Sequence, residues 1–210
     1  MNLTVNDASG GQGRPFKTTA VRYSTFNSVT VENGSNNYNG MSIEYYSSHN
    51  TFNSCAATNN SPTGGTMTGN AGINLFGNFN QYNTFNNCTV SGNGNVQFFI
   101  SSWDALRLAQ DSHNTVSGGS FTGTDVTQVE AVLDIEGDSA YIHDASISGP
   151  GGYGLYLDGH ASNACVNNNT FTAGSSPGLI GAINANGTND RGLGNNTNGL
   201  SSNLTPGTCP

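Results

Sequence analysis

The stretch HNTFNSCAATNN (His49–Asn60) has a near twin in YNTFNNCTVSGNG (Tyr82–Gly94) and a third copy upstream in YSTFNSVTVENG (Tyr23–Gly34). This repetition decides the fold class, because a phrase that returns at a steady spacing marks stacked copies of one supersecondary unit. In register, one apolar column reads Phe26, Phe52, Phe85, Val116, Ile142 and Val166. A second column, further along each copy, reads Val31, Ala57, Val90, Phe121, Ile147 and Phe171. Between them stand Ser28, Ser54, Asn87, Gly118, Asp144 and Asn168, all turn-type residues.

A longer segment keeps the same rhythm: IEYYS from Ile43, INLFG from Ile73, FFISS from Phe98, LDIEG from Leu133, LYLDG from Leu155 and INANG from Ile183. Each alternates with period two, the pattern of a strand with one buried face. Strands recurring every 24 to 33 residues, with no helix-period segment interleaved, predict an all-β solenoid of six or seven coils. The expected inward stacks are Ile43, Ile73, Phe98, Leu133, Leu155 and Ile183, with Tyr45, Leu75, Ile100, Ile135, Leu157 and Ala185 beside them. The whole chain, 1–210, reads as a single domain, and 191–210 as an irregular tail. The open first coil, NLTVNDASGG with no capping helix, reads as part of a longer chain or the edge of a homo-oligomer.

Composition removes several function classes. Only 9% of residues are charged, against roughly 25% in an ordinary globular protein. The net charge is −8, and the five basic residues, Arg14, Lys17, Arg22, Arg107 and Arg191, form no cluster. A nucleic-acid surface needs clustered cations, so that partner is not expected. Neither is a membrane, since no apolar run approaches the roughly 20 residues of a spanning helix. The cysteines show no metal-ligand spacing. Cys55 and Cys88 share a position in consecutive coils about 4.8 Å apart, close enough for a disulfide or for two stacked thiols. Buried free cysteine is common, so the thiol reading is preferred. A Cys165–Cys209 bridge would pin the tail.

The F-x-N-C-x-V phrase at Phe85–Val90 and the L-x-L-x-G phrase at Leu155–Gly159 resemble the right-handed parallel β-helix of the pectin-lyase-like superfamily, over roughly residues 20 to 190. That resemblance implies polysaccharide as partner, and an extracellular, cell-surface or virion-surface location. The layout of acids looks like that of polygalacturonase-type glycoside hydrolases. Of their motifs, however, only Gly159-His160 is matched, with Ala161 following and no Asp-Asp pair or Arg-Ile-Lys segment. Phage tailspike depolymerases, which use scattered Asp and Glu, are the more similar group.

Alternation sends the intervening residues outward. One outward column is expected to read Glu44, Asn74, Phe99, Asp134, Tyr156 and Asn184; the other Tyr46, Phe76, Ser101, Glu136, Asp158 and Asn186. An ordinary solvated strand face carries Thr, Ser and Lys; this one carries acids and aromatics. Asp134 and Glu136 lie about 6.8 Å apart along one strand, and Asp158 about 4.8 Å away on the next coil. His160 follows just past the strand end. Crowded carboxyls raise one another's proton affinity, and an acid beside a carboxylate is what glycoside hydrolysis requires. Asp134, Glu136, Asp158 and His160 are therefore the candidate catalytic residues. Tyr46, Phe76, Phe99, Tyr156 and Trp103 would stack on sugar rings, with Glu44, Asn74 and Arg107 completing the substrate site. Insertions near 59–72, 101–114 and 123–131 would wall the groove.

Other readings of the same face are a non-catalytic glycan-binding or structural segment, a subunit interface and a calcium site; no other cofactor is expected. A lyase or epimerase ranks below a hydrolase, because an acidic wall repels a uronate unless Ca²⁺ intervenes. An ice-binding surface needs a flat threonine array, and no outward column supplies one.

Overall fold

The computed structural model describes residues 3–6, 15–34, 39–60, 71–94, 96–101, 111–123, 131–174 and 178–209. Trp103, Arg107 and most of the three insertions lie outside them.

Three all-parallel sheets form the walls of a parallel β-helix. Sheet A takes Leu3–Asn6, Val29–Glu32, Ala56–Thr58, Thr89–Ser91, Ser120–Thr122, Ser146–Ser148 and Thr170–Thr172. Sheet B takes the longer strands Phe16–Thr19, Met41–Glu44, Ala71–Phe76, Val96–Ile100, Ala131–Ile135, Gly151–Leu157 and Leu179–Ala185. Sheet C takes Thr25–Asn27, Thr51–Asn53, Thr84–Asn86, Thr115–Ser117, Tyr141–His143, Cys165–Asn167, Arg191–Gly192 and Thr205–Pro206. The tail expected to be irregular thus adds two short strands to sheet C.

Both apolar columns of the repeated phrase pair coil to coil as the spacing requires. Phe26 pairs with Phe52, Phe52 with Phe85, and Val116 with both Phe85 and Ile142. The Phe52 and Phe85 rings stack at 4.9 Å and 4° between planes, with neither accessible to solvent. All six turn-column residues, Ser28 to Asn168, take positive φ between 51 and 64°. That fits the recurrence of Asn, Asp and Gly there, which enter the left-handed region at the least cost.

Buried amides close the other corners. Asn50 donates from both its backbone N–H and Nδ2 to Oδ1 of Asn83, at 3.2 and 3.0 Å. Asn83 does the same to Asn114 at 3.0 and 3.1 Å. Each Oδ1 thus satisfies two donors of the preceding coil, which a sealed interior demands. One ladder ends on an acid: Asn80 donates to Asp111 from its backbone N–H and from Nδ2. Burial pushes the Asp111 carboxyl up to about 8, against the opposing effect of those two hydrogen bonds. Asp190, also buried, is pushed up to about 6, again mainly by desolvation.

Three expectations need correction. In the second coil of sheet B the phase is shifted by two residues: Met41 pairs with Ile73 and Ile43 with Leu75, so Glu44 sits beside Phe76. Met41 supplies the inward side chain that Ile43 was expected to supply, and the strand ends at Glu44. Tyr45 and Tyr46 then turn the corner with φ of 29° and 63°, and both are exposed. Gly77 lies directly against the Tyr45 ring, where any Cβ would collide with it. Second, Cys55 and Cys88 form a disulfide between adjacent coils with Cα atoms 4.5 Å apart, not two thiols. Cys165 and Cys209 are also bridged. Third, an outward threonine column does exist, Thr25, Thr51, Thr84 and Thr115 on sheet C. Sheet A adds mixed hydroxyl columns: Thr89, Ser120, Ser146 and Thr170 in one, Ser91, Thr122, Ser148 and Thr172 in the other. The short strands contribute an outward face that inspection of the long strands alone overlooks.

Candidate functional site

The outer wall of sheet B is built by the alternation that packs Leu133, Ile135, Leu155 and Leu157 into the core, all inaccessible to solvent. Asp134 pairs with Phe99 on one side and Tyr156 on the other, and Tyr156 with Asn184. One row further, Ile135 pairs with Leu157, which sets Glu136 beside Asp158. The backbone ladder continues through both: Glu136 N–H donates to Ile100 O at 2.9 Å, and Asp158 N–H to Ile135 O at 3.0 Å. The three candidate carboxylates therefore share one wall.

Their environments differ. Asp134 is buried, at 8% exposure, although it points away from the core. Glu136 is half-buried, and the Asp158 side chain is 25% exposed. A tight turn follows Asp158, in which Ala161 N–H donates to its carbonyl at 2.9 Å. The same turn brings His160 N–H to Asp158 Oδ1 at 2.9 Å, and His160 Nδ1 contacts that oxygen as well. This carboxylate is consequently held in one orientation by its own loop. Across the next coil, Asn186 Nδ2 donates to the Tyr156 hydroxyl at 3.3 Å.

The remaining candidates are dispersed. Glu44 is buried at 1% exposure; it accepts from Ser42 Oγ at 2.8 Å and pairs with Lys17 at 2.6 Å. Lys17 sits in the same outward column as Ser42, so the wall is not free of cations, as the long repeats alone imply. Asn74 is fully buried between Ser42 and Phe99, and Phe99 clusters with Ala71 and Val96 in a small apolar patch separate from the main core. Phe76 is half-buried. Tyr46 is off the wall, stacked on Phe79 at 5.2 Å. Among the described residues, no three His, Cys, Asp or Glu side chains gather as a metal cage would need.

Sequence reasoning missed a second set of rings. Tyr23, His49, Tyr82 and His113 stack in unbroken succession along the corner leading into sheet C, with centroids 4.7, 4.9 and 4.7 Å apart. The signal was present at the head of each repeated phrase, where Tyr or His occupies the same place in successive copies. All four take positive φ, between 52 and 57°, which puts each ring on the outside of its corner. No protein-family model and no curated protein sequence matches the chain.

Proposed function

We propose that the protein hydrolyses a neutral or weakly charged polysaccharide laid over the outer wall of sheet B. The register that sets Glu136 beside Asp158 at the solvent edge of two adjacent coils is the observation that supports this most. Asp158, oriented by the His160 turn, is the base or nucleophile, and Glu136 is the acid. Glu136 gives its proton to the glycosidic oxygen as the bond to the anomeric carbon breaks. With Asp158 as base, water adds its hydroxyl to that carbon and its proton to Asp158, and exchange with solvent returns a proton to Glu136. With Asp158 as nucleophile, water cleaves the glycosyl ester and gives its proton directly to Glu136. Either way the acid is restored and no other reactant is consumed. Asp134 adds negative charge next to the developing oxocarbenium ion, and Tyr156 offers a ring for a sugar in a neighbouring position. The resemblance to pectin-lyase-like β-helices, and among them to tailspike depolymerases, agrees with this reading.

A second reading is a glycan-binding or structural segment without chemistry. It draws on the burial of Glu44, Asn74, Phe99 and Asp134, which leaves little of the middle coils' wall open to a substrate. The two are separated by incubating the parent and a Glu136→Gln/Asp158→Asn double variant with a panel of polysaccharides. Reducing-end release by the parent alone supports the hydrolase. Retention of both proteins on a glycan column without release by either supports the binder.

A further inference from the structure

The ring ladder ends abruptly. After His113 the same corner position is filled by Ser139, Asn163 and Asn189, which keep the positive φ of the rings but carry small polar side chains. Truncation of the column opens a recess of ≈ 610 Å³ on the sheet C side, within the roughly 300–1,000 Å³ range of small-ligand sites. His113 forms one end; its inner face lies on Tyr82 at 4.7 Å, and the opposite face is left to the recess. Tyr141, 36% exposed, forms the floor, with one face stacked on His143 at 4.2 Å. The far wall is the C-terminal tail, held in place by the Cys165–Cys209 disulfide. Asn167 adds a contact from its Nδ2 to Cys209 Sγ at 3.3 Å. Two aromatic faces, the hydroxyls of Ser139 and Thr208, the amides of Asn163 and Asn167, and a fastened wall line this half-open recess.

We infer that the recess is a binding subsite for a neutral oligosaccharide segment. Among the described residues no carboxylate, lysine or arginine lines it, and His113 is its one imidazole, so a phosphate or a uronate finds no permanent charge partner there. Beside the rings, the disulfide and Leu193, its lining is the polar set Ser139, Asn163, Asn167 and Thr208, more donors and acceptors than a lipid chain would use. Neutral amides and hydroxyls beside ring faces suit a pyranose, whose C–H face packs on an aromatic while its hydroxyls exchange hydrogen bonds. Position adds a further argument. Ser139 follows Glu136 by three residues, so their Cα atoms are no more than about 11 Å apart. A glycan crossing that single corner would reach the carboxyl pair, and binding in the recess would supply the remote interactions that position a substrate for cleavage. This link to cleavage rests on the hydrolase reading; the binding does not.

The test is affinity, measured by calorimetry in the Glu136→Gln/Asp158→Asn background so that no probe is turned over. The probes are cello-, malto-, manno- and chito-hexaose, with a galacturonic acid hexamer as the charged comparison. At least one neutral hexamer is expected to bind, and Tyr141→Ala to weaken it about tenfold. Tyr23→Ala, at the far end of the ladder and 77% exposed, is expected to leave it within about twofold. Thermal melts of each variant separate a lost ligand contact from a lost fold, and Tyr141→Phe, which keeps the ring, is expected to retain most of the affinity. Absence of binding by every neutral hexamer overturns the inference, as does equal loss in Tyr23→Ala and Tyr141→Ala, or preference for the galacturonate. Binding in the recess by a parent protein that releases no sugar would keep the subsite and discard the hydrolase.

Discussion

Sheets A and B share one backbone plan and differ in what they carry on their outer faces. Both stack parallel strands in strict register and bury a continuous apolar column, Val90, Phe121, Ile147 and Phe171 in one, Ile73, Phe98, Leu133 and Leu155 in the other. From Thr89 to Thr172, sheet A then presents only serine and threonine hydroxyls. Sheet B presents Phe99, Asp134, Glu136, Tyr156 and Asp158 over the corresponding coils. Core packing restrains the inner columns equally in both, so it explains neither outer face. Hydroxyls on sheet A are what hydration of a strand surface requires. The buried carboxylates of sheet B, Glu44 and Asp134, are not what hydration of a strand surface asks for, which is why the proposed chemistry is placed on that wall.

The largest expected effect would break this comparison outright. Glu136→Gln/Asp158→Asn is expected to lower sugar release by a factor on the order of 10²–10⁴, while Ser120→Ala/Ser146→Ala on sheet A leaves it unchanged. Equal effects from both pairs would dissolve the distinction between the walls.

Stability distinguishes inside from outside. Phe85→Ala removes a fully buried ring from the stack and is expected to cost about 3–5 kcal/mol in denaturant unfolding. Phe99→Ala, on the outer patch with Ala71 and Val96, is expected to cost clearly less. A similar loss at both sites would make the outer patch a second core.

Buried Asp111 gives the fold a pH dependence of defined sign. Its folded-state value of about 8 lies above the ordinary 3.8, so between these the folded chain holds a proton that the unfolded chain has released. Stability is then lost as pH rises through that window, by up to about 1.4 kcal/mol per pH unit from this group. Melts of the parent at successive pH values are expected to fall from pH 5 to 8, and Asp111→Asn to flatten the slope. A parent whose stability climbs over this range would contradict the assignment. The smallest effect belongs to the hydroxyl wall: Ser146→Lys, at an exposed position, is expected to change unfolding free energy by less than about 0.5 kcal/mol.

Much of the fold was legible because solenoid packing repeats residue by residue. Phe52 lies on Phe85 in space as HNTFN aligns with YNTFN in sequence, and the turn column announces its left-handed conformation through Asn, Asp and Gly. The phase slipped only at Met41, where a flexible apolar side chain fills an inward slot that an Ile-to-Ile alignment assigns to Ile43. Cys55 and Cys88 were placed correctly, but a strand spacing of about 4.8 Å serves a disulfide and a thiol pair equally well. Of the candidate site, alternation placed Asp134, Glu136 and Asp158 on one wall. It could not report that Asp134 and Glu44 are buried, because burial of an outward residue depends on what lies over the wall and not on strand period. The recess beside Tyr141 was illegible for a related reason: it arises where a ladder stops and a tail from the far end of the sequence is bridged across.

The most direct test of the account is mass analysis of the products released by the parent in heavy-oxygen water. Hydrolysis at the Glu136/Asp158 pair predicts saturated fragments with one heavy oxygen at each new reducing end, and none from the double variant. Unsaturated, unlabelled ends, or labelled products in equal yield from the double variant, would contradict it.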